Sequence, residues 1–510
     1  MMTGQHSANL YAAYAANFPA PERLLLSTPA GASYSYADAE RQSAQVANYL
    51  VSLGLSPGDR VTVQVEKSAQ NLWLFLGVVR AGLVYHPLNS AYTDDELRFF
   101  LADARPALVV CEAARATAIG AICTELGIAQ PAVLDRDGSG DLMQAVRGCS
   151  VHFDTACSNA DDIAALVYSS GTTGQPKGIM LSHGNLASNA VVLCDLWGFR
   201  QDDCLLHMLP IFHVHGLFVA LGCVLMSGAS MRWHSRFDVR HAVQDMPGCT
   251  VMMGVPTYYT RLLSVPEFDA HLCRNMRLFI SGSAPLLPET FERFKAVTGQ
   301  VILERYGMTE TGMNISNPLH GERKAGSVGL PLPGVEVRIS GVQGESLGPG
   351  EVGDIEVRGP NVFVGYWNLP EKTAADFTPD GFFRTGDKGV VDADGYVSIV
   401  GRSKDMIITG GLNVYPREVE LLIDGIDGVL ESAVVGLPDA DFGEKVVAVV
   451  VPDSNAHSSA MPDEDAIVDA VRSQAAAFKV PKQVFFAEEL PRNTMGKVRK
   501  DLLRRTLSDR

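Results

Sequence analysis

The residues from 168 to 178 point most directly to chemistry. They follow an apolar run at 163–167 and read Tyr-Ser-Ser-Gly-Thr-Thr-Gly-Gln-Pro-Lys-Gly. Glycines let successive backbone N–H groups turn toward one centre, hydroxyls add donors and Lys177 adds positive charge, so the segment suits an anion such as a triphosphate. The Walker pattern does not fit, which excludes the common P-loop NTPases and leaves a flexible surface loop as the alternative. The phosphate-binding candidates are Ser169, Ser170, Gly171, Thr172, Thr173, Gly174 and Lys177.

Two shorter motifs combine an aromatic ring with carboxylates. Tyr306 offers a flat face on which a purine can stack, and Glu310 offers a carboxylate that could hold Mg²⁺ between phosphate oxygens. Asp387 is predicted in a turn after two phenylalanines, where it could accept hydrogen bonds from both ribose hydroxyls. Each has a plainer alternative when taken alone. Residues 306–310 could be core and surface, and Asp387 could cap the turn.

Lys497 is the candidate for charge stabilisation during bond formation. It lies in a glycine-containing loop ahead of a basic segment at 498–507, predicted to be helical. Joining a carboxylate to an α-phosphate brings two anions together, and one ammonium that bridges both would stabilise the transition state. The alternative is that Lys497 belongs to a solvated positive cluster.

Candidates for binding an acid lie in the middle of the chain. His213 and His215 are two residues apart, on one face if the segment is extended. A metal site is one interpretation, but no third ligand stands nearby, which favours a structural or gating role. An apolar strand over 278–281 is entered by Arg277 and left through small residues, which make room for a flat base or an acyl group.

Together these motifs resemble those of the acyl-adenylate-forming (AMP-binding) superfamily, in its acyl-CoA synthetase branch. The matching segments are 168–178, 306–310, 385–387, 401–411 and 491–497; they occur in the family's order and cover nearly the whole chain. The resemblance implies that ATP, with Mg²⁺, and CoA are used to make an acyl-adenylate and then a thioester. Three further segments, 213–217, 277–284 and 303–314, look like those of malonyl-CoA synthetases in particular.

The resemblance also implies roles for single residues. Lys497, Thr309 and His213 would be catalytic, with His213 at the gate of the acid tunnel, and Glu310 would bind the metal ion. Besides the phosphate loop, the implied ATP-binding residues are Ser283, Ala284, Glu304, Arg305, Tyr306, Gly307, Met308, Thr309, Asp387, Arg402 and Lys497.

The acid pocket and the CoA channel follow from the same resemblance. The predicted acyl-substrate residues are His213, Arg277, Ser281 and Met308. A second carboxylate in the pocket would need a cation, since an unpaired buried charge is costly; Arg277 with Ser281 is the first prediction, and Arg236 and Arg261 are the reserves. Lys404 would be the hinge, and the thiol channel would be lined by Gly410 and Gly411.

The elements that must position these residues are predicted from periodicity. Up to about residue 330, apolar runs such as 61–65 and 108–111 alternate with helix-length stretches such as 69–81, which indicates an α/β fold with largely parallel sheets. Short alternating segments then indicate a small antiparallel β unit. We predict a large N-terminal domain over 1–403 that includes this β unit at 326–401, and a small mobile α+β domain over 404–510, with its hinge near Lys404.

Composition limits the partners. The chain has 510 residues, with 42 Lys and Arg against 58 Asp and Glu, a net charge of −16 that argues against nucleic acid. Its longest apolar run, 217–226, is well short of the roughly 20 residues that span a bilayer. Nine cysteines without a CxxC pair predict neither a disulfide framework nor a zinc cluster, and a cytoplasmic location is the default expectation.

The sequence therefore predicts an enzyme, an AMP-forming ligase that joins malonate or a similar short dicarboxylate to CoA. One alternative is a ligase for short or medium monocarboxylates. Another is an adenylate-binding protein without chemistry, which the presence of both Lys497 and Glu310 disfavours, and a third is a stand-alone adenylation domain that loads a carrier protein. The partners are small molecules, and the sequence leaves the oligomeric state open.

Overall fold

The computed structural model describes residues 7–169, 176–410, 412–439, 442–453, 462–493 and 496–508. Within these ranges the α-helices are α1 (Leu10–Ala15), α2 (Tyr36–Ser52), α3 (Ala69–Arg80), α4 (Asp94–Ala104), α5 (Ala113–Leu126), α6 (Asp141–Arg147), α7 (His183–Leu196), α8 (Leu221–Ser227), α9 (Val239–Asp245), α10 (Pro256–Leu263), α11 (Pro288–Thr298), α12 (Pro370–Asp376), α13 (Pro416–Asp424), α14 (Glu464–Gln474) and α15 (Lys500–Ser508). A π-helix (His215–Ala220) runs directly into α8, and short 3₁₀ turns occupy Met246–Gly248, Ser403–Asp405 and Ala477–Lys479.

The strands are β1 (Leu24–Ser27), β2 (Ser33–Ser35), β3 (Arg60–Gln64), β4 (Val84–Pro87), β5 (Leu108–Cys111), β6 (Ala132–Val133), β7 (Ile163–Ser169), β8 (Lys177–Ser182), β9 (Cys204–His207), β10 (Ser230–Trp233), β11 (Val251–Gly254), β12 (Leu278–Ser281), β13 (Leu303–Met308), β14 (Gly312–Ser316), β15 (Leu330–Pro331), β16 (Glu336–Ser340), β17 (Gly353–Arg358), β18 (Gly365–Tyr366), β19 (Phe383–Val391), β20 (Val397–Arg402), β21 (Ile407–Thr409), β22 (Leu412–Val414), β23 (Val429–Asp439), β24 (Gly443–Pro452) and β25 (Gln483–Phe486).

Two large mixed sheets carry the first 330 residues. One has seven strands in the order β18-β8-β7-β4-β3-β5-β6, and the other has nine in the order β15-β14-β13-β12-β11-β9-β10-β1-β2. The nine-stranded sheet has a parallel centre with antiparallel strands at both edges. The seven-stranded sheet is antiparallel only at the β18–β8 edge, and its other edge strand, β6, is parallel to β5. Helix α3 is apolar almost all round and packs with residues of both sheets in one continuous core, which explains why so much of it is buried. The predicted α/β class is confirmed.

The predicted small antiparallel unit is a four-stranded sheet in the order β16-β17-β19-β20. Its last hairpin turns at residues 392–395, where Gly395 has a φ of +87°, as a tight turn requires. The unit is less separate than the sequence suggested, because β15 completes the nine-stranded sheet and β18 pairs with β8 of the seven-stranded one.

The last hundred residues form a five-stranded sheet in which β22, β21, β24 and β23 follow one another and β25 pairs with β24. Helices α13 and α14 cover one face, where Val419, Ile423 and Ile467 are buried. Helix α15 covers the other through Leu503 and Leu507. Helix α14 ends at Gln474, and a separate 3₁₀ turn follows it.

Candidate active site

Several predicted site residues lie at the carboxyl edge of the nine-stranded sheet. Ser281 and Met308 are the last residues of β12 and β13, and His207, which was not predicted, is the last residue of β9. Thr309 and Glu310 lie in the turn that follows β13. The carboxyl ends of parallel strands are where α/β sheets bind ligands, so the topology alone brings together motifs that are a hundred residues apart.

Three residues form what we call the Asp387 corner: Tyr306, Asp387 and Arg402. The Tyr306 hydroxyl donates to Asp387 Oδ2 at 2.5 Å, and Arg402 Nε lies 2.9 Å from Asp387 Oδ1. Asp387 lies inside β19 directly opposite Arg402 of β20, and not in a turn as the sequence suggested. Burial, followed by the Asp387 charge, raises the pKa of Tyr306 well above its usual value, so its hydroxyl stays protonated and donates.

Glu310 is a buried carboxylate with few partners. Its Oε1 accepts a long hydrogen bond of 3.5 Å from the Tyr366 hydroxyl, and Lys177 Nζ stands 5.0 Å from the centre of the Tyr366 ring. Burial raises the pKa of Glu310, while the charges of Arg402 and Lys177 act to lower it. A nearby cation would therefore stabilise the ionised carboxylate. Tyr366 also connects Lys177, at the end of the phosphate loop, with Glu310 in the turn after β13.

Arg305 lies in what we call the Arg305 pocket, with Tyr259, His215 and Gly282. Arg305 is 2% exposed, and its Nε and Nη2 have no hydrogen-bond partner. Burial lowers the pKa of Arg305 to about 10, and among the described residues no carboxylate pairs with it. A β-carbon at Gly282 would stand 2.5 Å from the guanidinium, so only glycine leaves room for Arg305 there.

The two histidines border this pocket. His215 Nδ1 lies 3.1 Å from the hydroxyl of Ser283, a residue held at a φ of +71°, which is rare outside glycine and is found at functional sites. His213 is buried with its Nε2 unpartnered, and burial lowers its pKa to about 4. Burial, followed by the Arg305 charge, also lowers the pKa of His215. Both rings are neutral, and in the described part of the chain no three residues form a metal-ligand cluster.

Ser281 and Glu304 lie on the other face of the sheet from Arg305. They are paired in register on β12 and β13, and successive side chains of a strand alternate between faces. Ser281 is fully buried with an unpartnered hydroxyl. Glu304 accepts from the Leu286 N–H through Oε1, its Oε2 is unpartnered, and burial raises its pKa to about 7.

The Lys497 loop reaches the Asp387 corner from the C-terminal sheet. Asn493 holds the loop, since the Lys497 N–H donates to its side chain at 2.9 Å. Gly496, at a φ of +73°, touches α10: a β-carbon there would lie 3.3 Å from Thr257 Oγ1. Burial, then repulsion by Arg402, lowers the pKa of Lys497 to about 8, while the charge of Asp387 opposes this.

The predicted hinge lies next to this corner. Lys404 is in the 3₁₀ turn after β20, and loss of hydration together with repulsion by Arg402 lowers its pKa to about 8. Gly410 has a φ of +56° and donates its N–H to the Phe442 carbonyl at 2.8 Å. The hinge and channel roles stay predictions.

The prediction for Arg277 is wrong. Its Nε and Nη2 donate to both carboxylate oxygens of the buried Asp203, and its Nη1 and Nη2 donate to the carbonyls of Trp197 and Gly198. Arg277 precedes β12 at the amino end of the parallel strands, whereas Ser281 is at the carboxyl end. Four residues of strand therefore separate Arg277 from the pocket, about 13 Å at the usual rise per residue. The reserves Arg236 and Arg261 are both exposed.

Other predicted residues have simple positions. Ser169 ends β7, Lys177 begins β8, Gly307 lies within β13, and Ala284 follows β12 half-buried. Ser170, Gly171, Thr172, Thr173, Gly174 and Gly411 lie outside the described residues.

The comparisons with known proteins decide the family. The model of the AMP-binding enzyme family matches residues 12–367, and that of the AMP-binding enzyme C-terminal domain matches residues 418–497. The chain belongs to the AMP-binding enzyme family. Its predicted likeness to the acyl-CoA synthetase branch, and to malonyl-CoA synthetases within it, is confirmed by the relatives.

Three relatives of this AMP-binding enzyme are informative. It is 34% identical to a malonate–CoA ligase from Arabidopsis thaliana over 488 residues, 89% of this chain and 79% of that protein. It is 36% identical to a feruloyl-CoA synthase from an Amycolatopsis species over 483 residues, 93% of this chain and 94% of that protein. Its structure superposes on ATP-bound MatB from Rhodopseudomonas palustris with a TM-score of 0.96 and 51% identity, covering 99% of both chains.

The enzyme is an AMP-forming acid–CoA ligase, and ATP and CoA are its co-substrates. Its arrangement is closer to the ATP-bound form of MatB than to the apo form, for which the TM-score is 0.86 at the same identity and coverage. No helix of the described residues is long and apolar enough to cross a membrane.

Sequence reasoning missed two features of this ligase. Arg305 is predicted to bind ATP, a prediction that stays untested, but the sequence did not show that its guanidinium is buried near His215 with two nitrogens unpartnered among the described residues. The signal was available: a glycine at 282 on the neighbouring strand leaves room for a large side chain from β13. Tyr366, which links Lys177 to Glu310, follows a glycine in a short motif that periodicity does not single out.

Proposed function

We propose that the ligase acts on malonate or a similarly short dicarboxylate, and that Arg305 binds the second carboxylate of the acid. One observation carries the proposal: within the described part of the chain, the buried Arg305 guanidinium has two unpartnered nitrogens and no carboxylate beside it. A buried charge without a counter-ion is costly, so an anionic ligand would supply what the protein leaves out.

The neighbours of Arg305 support an anion rather than compete with it. Burial keeps His215 and His213 neutral, so they leave the positive charge of the pocket on Arg305 and can orient a carboxylate through their ring nitrogens. The unpartnered Nε2 atoms of both rings are free for that purpose. A neutral acyl chain would leave all these polar atoms unsatisfied, which costs about 1–3 kcal/mol for each group.

The relatives support malonate as the acid but do not identify the acid by themselves. Malonate is the substrate named for the Arabidopsis relative, whereas the relative of comparable identity from Amycolatopsis is named for feruloyl-CoA. The charge of the pocket therefore decides our choice between a dicarboxylate and the alternative of a short or medium monocarboxylate.

Glu310 fits the Mg²⁺ that nucleotide use implies. Mg²⁺ is commonly held by one or two carboxylates together with phosphate oxygens and water, and Glu310 is a buried carboxylate that accepts a long hydrogen bond from Tyr366. Burial raises the pKa of Glu310 despite the charges of Arg402 and Lys177, so a bound cation would further stabilise its ionised form. When bound, the metal ion would neutralise charge on the phosphates of ATP.

Lys497 would stabilise the step that forms the acyl-adenylate. It is held close to Arg402 and Asp387, at the corner where the ribose of ATP would bind, so its ammonium can bridge the acid carboxylate and the α-phosphate. Departure of the Lys497 loop, by rotation near Lys404, would then admit the thiol of CoA. This rotation would separate the two half-reactions in time.

The experiment is to measure AMP and pyrophosphate release with ATP, Mg²⁺ and CoA across acetate, propionate, malonate, methylmalonate, succinate and hexanoate. We expect malonate to exceed the monocarboxylates by two orders of magnitude or more in kcat/KM. A lead for propionate or hexanoate would contradict the dicarboxylate proposal and leave the ligase class intact. Pyrophosphate release without CoA-dependent AMP release would favour a carrier protein as the acceptor, and the Lys497→Ala variant gives the background.

A further inference from the structure

Lys67 is a buried lysine outside the residues that face ATP or the acid. It lies between β3 and α3 and is 6% exposed. Its Nζ lies 2.8 Å from His207 Nδ1 and donates to the carbonyls of His207 and Leu209, each at 2.9 Å. The ammonium also stands 4.1 Å from the centre of the Trp233 ring, as in a cation–π contact. All three donors of Lys67 are therefore directed at the end of β9.

The contacts of His207 determine which of its nitrogens carries the proton. His207 Nε2 lies 3.0 Å from the Gly216 carbonyl, which can only accept, so Nε2 carries the hydrogen. Burial, followed by the Lys67 charge, lowers the pKa of His207, and its ring is neutral. The lone pair on Nδ1 then faces Lys67 and accepts from it. Lys67, His207 and Gly216 thus form one directed chain of hydrogen bonds.

This chain holds both ends of the segment 209–216. Lys67 binds the carbonyl of Leu209 at its beginning, and His207 binds the carbonyl of Gly216 at its end. The two ends approach so closely that a β-carbon at Gly216 would lie 2.0 Å from the Pro210 carbonyl oxygen. Gly216 belongs to a π-helix, a form that is often found at functional sites.

The segment carries the two histidines that border the Arg305 pocket. His213 lies within it, and His215, next to the clamped Gly216, reaches Ser283. A shift of this segment would move both rings relative to the acid, and small misplacements of positioning groups are expensive in catalysis.

We propose that Lys67 is a positioning residue for acid activation: through His207 it fixes the segment 209–216, and with it His213 and His215, against the bound acid. Lys67 itself touches neither ATP nor the acid. The proposal concerns how the pocket is held, so it applies to whichever acid the enzyme uses best and can fail independently of the malonate proposal.

The test compares Lys67→Met with Arg80→Met, using the preferred acid. Arg80 is a matched control: it is 5% exposed and lies at the end of α3. It donates to Tyr11, Ser43, two carbonyls and, at 3.3 Å, the Glu40 carboxylate, and it stands over the ring of Tyr11. We expect both variants to lose melting temperature. Lys67→Met should in addition raise the KM for the acid at least tenfold and lower kcat, with the KM for ATP changed less than threefold, and Arg80→Met should leave all three values within twofold.

A second pair of variants tests the direction of the chain. His207→Gln keeps one acceptor and one donor, whereas His207→Leu keeps neither. We expect His207→Leu to reproduce the rise in the acid KM. His207→Gln should reverse at least half of that rise on a logarithmic scale. The Lys67→Met/His207→Leu double variant should have an acid KM no higher than that of either single variant. An unchanged acid KM in Lys67→Met, or, if that variant does not fold, equal kinetics for the two His207 variants, would overturn the proposal.

Discussion

The Asp387 corner and the Arg305 pocket lie at the same sheet edge but differ in how their polar atoms are satisfied. In the Asp387 corner, the carboxylate is bound by a hydroxyl at 2.5 Å and a guanidinium at 2.9 Å. In the Arg305 pocket, the guanidinium and both neighbouring histidines have buried nitrogens without partners among the residues that the structure describes. The polar groups of the Asp387 corner are paired with one another, whereas the Arg305 guanidinium lacks a negatively charged hydrogen-bond acceptor among the described residues.

This difference separates general from specific recognition. A nucleotide that enters the Asp387 corner meets groups already fixed by one another, so the corner suits any member of the family that uses ATP. Under the proposed function, the Arg305 pocket would gain its partners only when an anion binds. A site that leaves polar groups unpaired rejects ligands that cannot pair them. We therefore attribute selectivity for the acid to the unpaired nitrogens of Arg305, His213 and His215.

Removing the Lys497 ammonium should give the largest effect. Lys497→Ala is expected to slow formation of the acyl-adenylate by about 10²–10³-fold, because one preorganised charge at the reacting centre is lost. Exchange of pyrophosphate into ATP measures this step. The conversion of chemically prepared acyl-adenylate and CoA to the thioester should stay within threefold of the unchanged enzyme, and a parallel loss of both steps would contradict the assignment.

Changing the charge of the Asp387 corner should affect ATP alone. Asp387→Asn keeps the shape but removes the charge that pairs Arg402, so we expect the KM for ATP to rise about tenfold to a hundredfold, as for loss of a charged hydrogen bond. Tyr306→Phe is the matched control and should give a smaller rise, since the pair with Arg402 remains. Steady-state kinetics with each substrate varied in turn measure both KM values. An equal rise in the KM for the acid would contradict the assignment of this corner to ATP.

Arg277 should matter for stability and least for catalysis. Arg277→Met leaves the buried Asp203 without its partner, which is expected to lower the free energy of unfolding by about 3–5 kcal/mol. Urea denaturation measures this change. We expect the KM values for malonate and ATP to stay within twofold. A selective tenfold rise in the KM for malonate would contradict this and indicate that Arg277 binds the acid.

The sequence could predict candidate residues for the nucleotide because they stand in local motifs. Tyr306, Glu310, Asp387 and Lys497 each stand in a short string whose residue types carry the chemistry. Their strings lie on the nine-stranded sheet, the four-stranded antiparallel sheet and a C-terminal loop, and tertiary packing brings Asp387 to Tyr306 and Lys497 to Asp387. Even here the pairing of Asp387 with Arg402 across two strands was not visible, since strand register depends on packing that a motif does not encode.

The acid site was harder because it depends on directions of side chains. Arg277 and Arg305 are both arginines beside β-strands, and only their places at opposite ends of parallel strands separate a structural ion pair from a pocket residue. Lys67 contacts His207, which lies 140 residues away in the sequence, and no local pattern predicts such a contact. These positions are fixed by tertiary packing.

The most direct measurement is the ratio of kcat/KM for malonate to that for butyrate, which has a similar length but lacks the second charge, in the unchanged enzyme and in Arg305→Met. We expect the ratio to fall by about a hundredfold, the equivalent of roughly 2.7 kcal/mol of charge pairing. Activity with butyrate should be retained or increased. A ratio that Arg305→Met leaves unchanged would contradict the account, because the charge that selects the acid would then lie elsewhere.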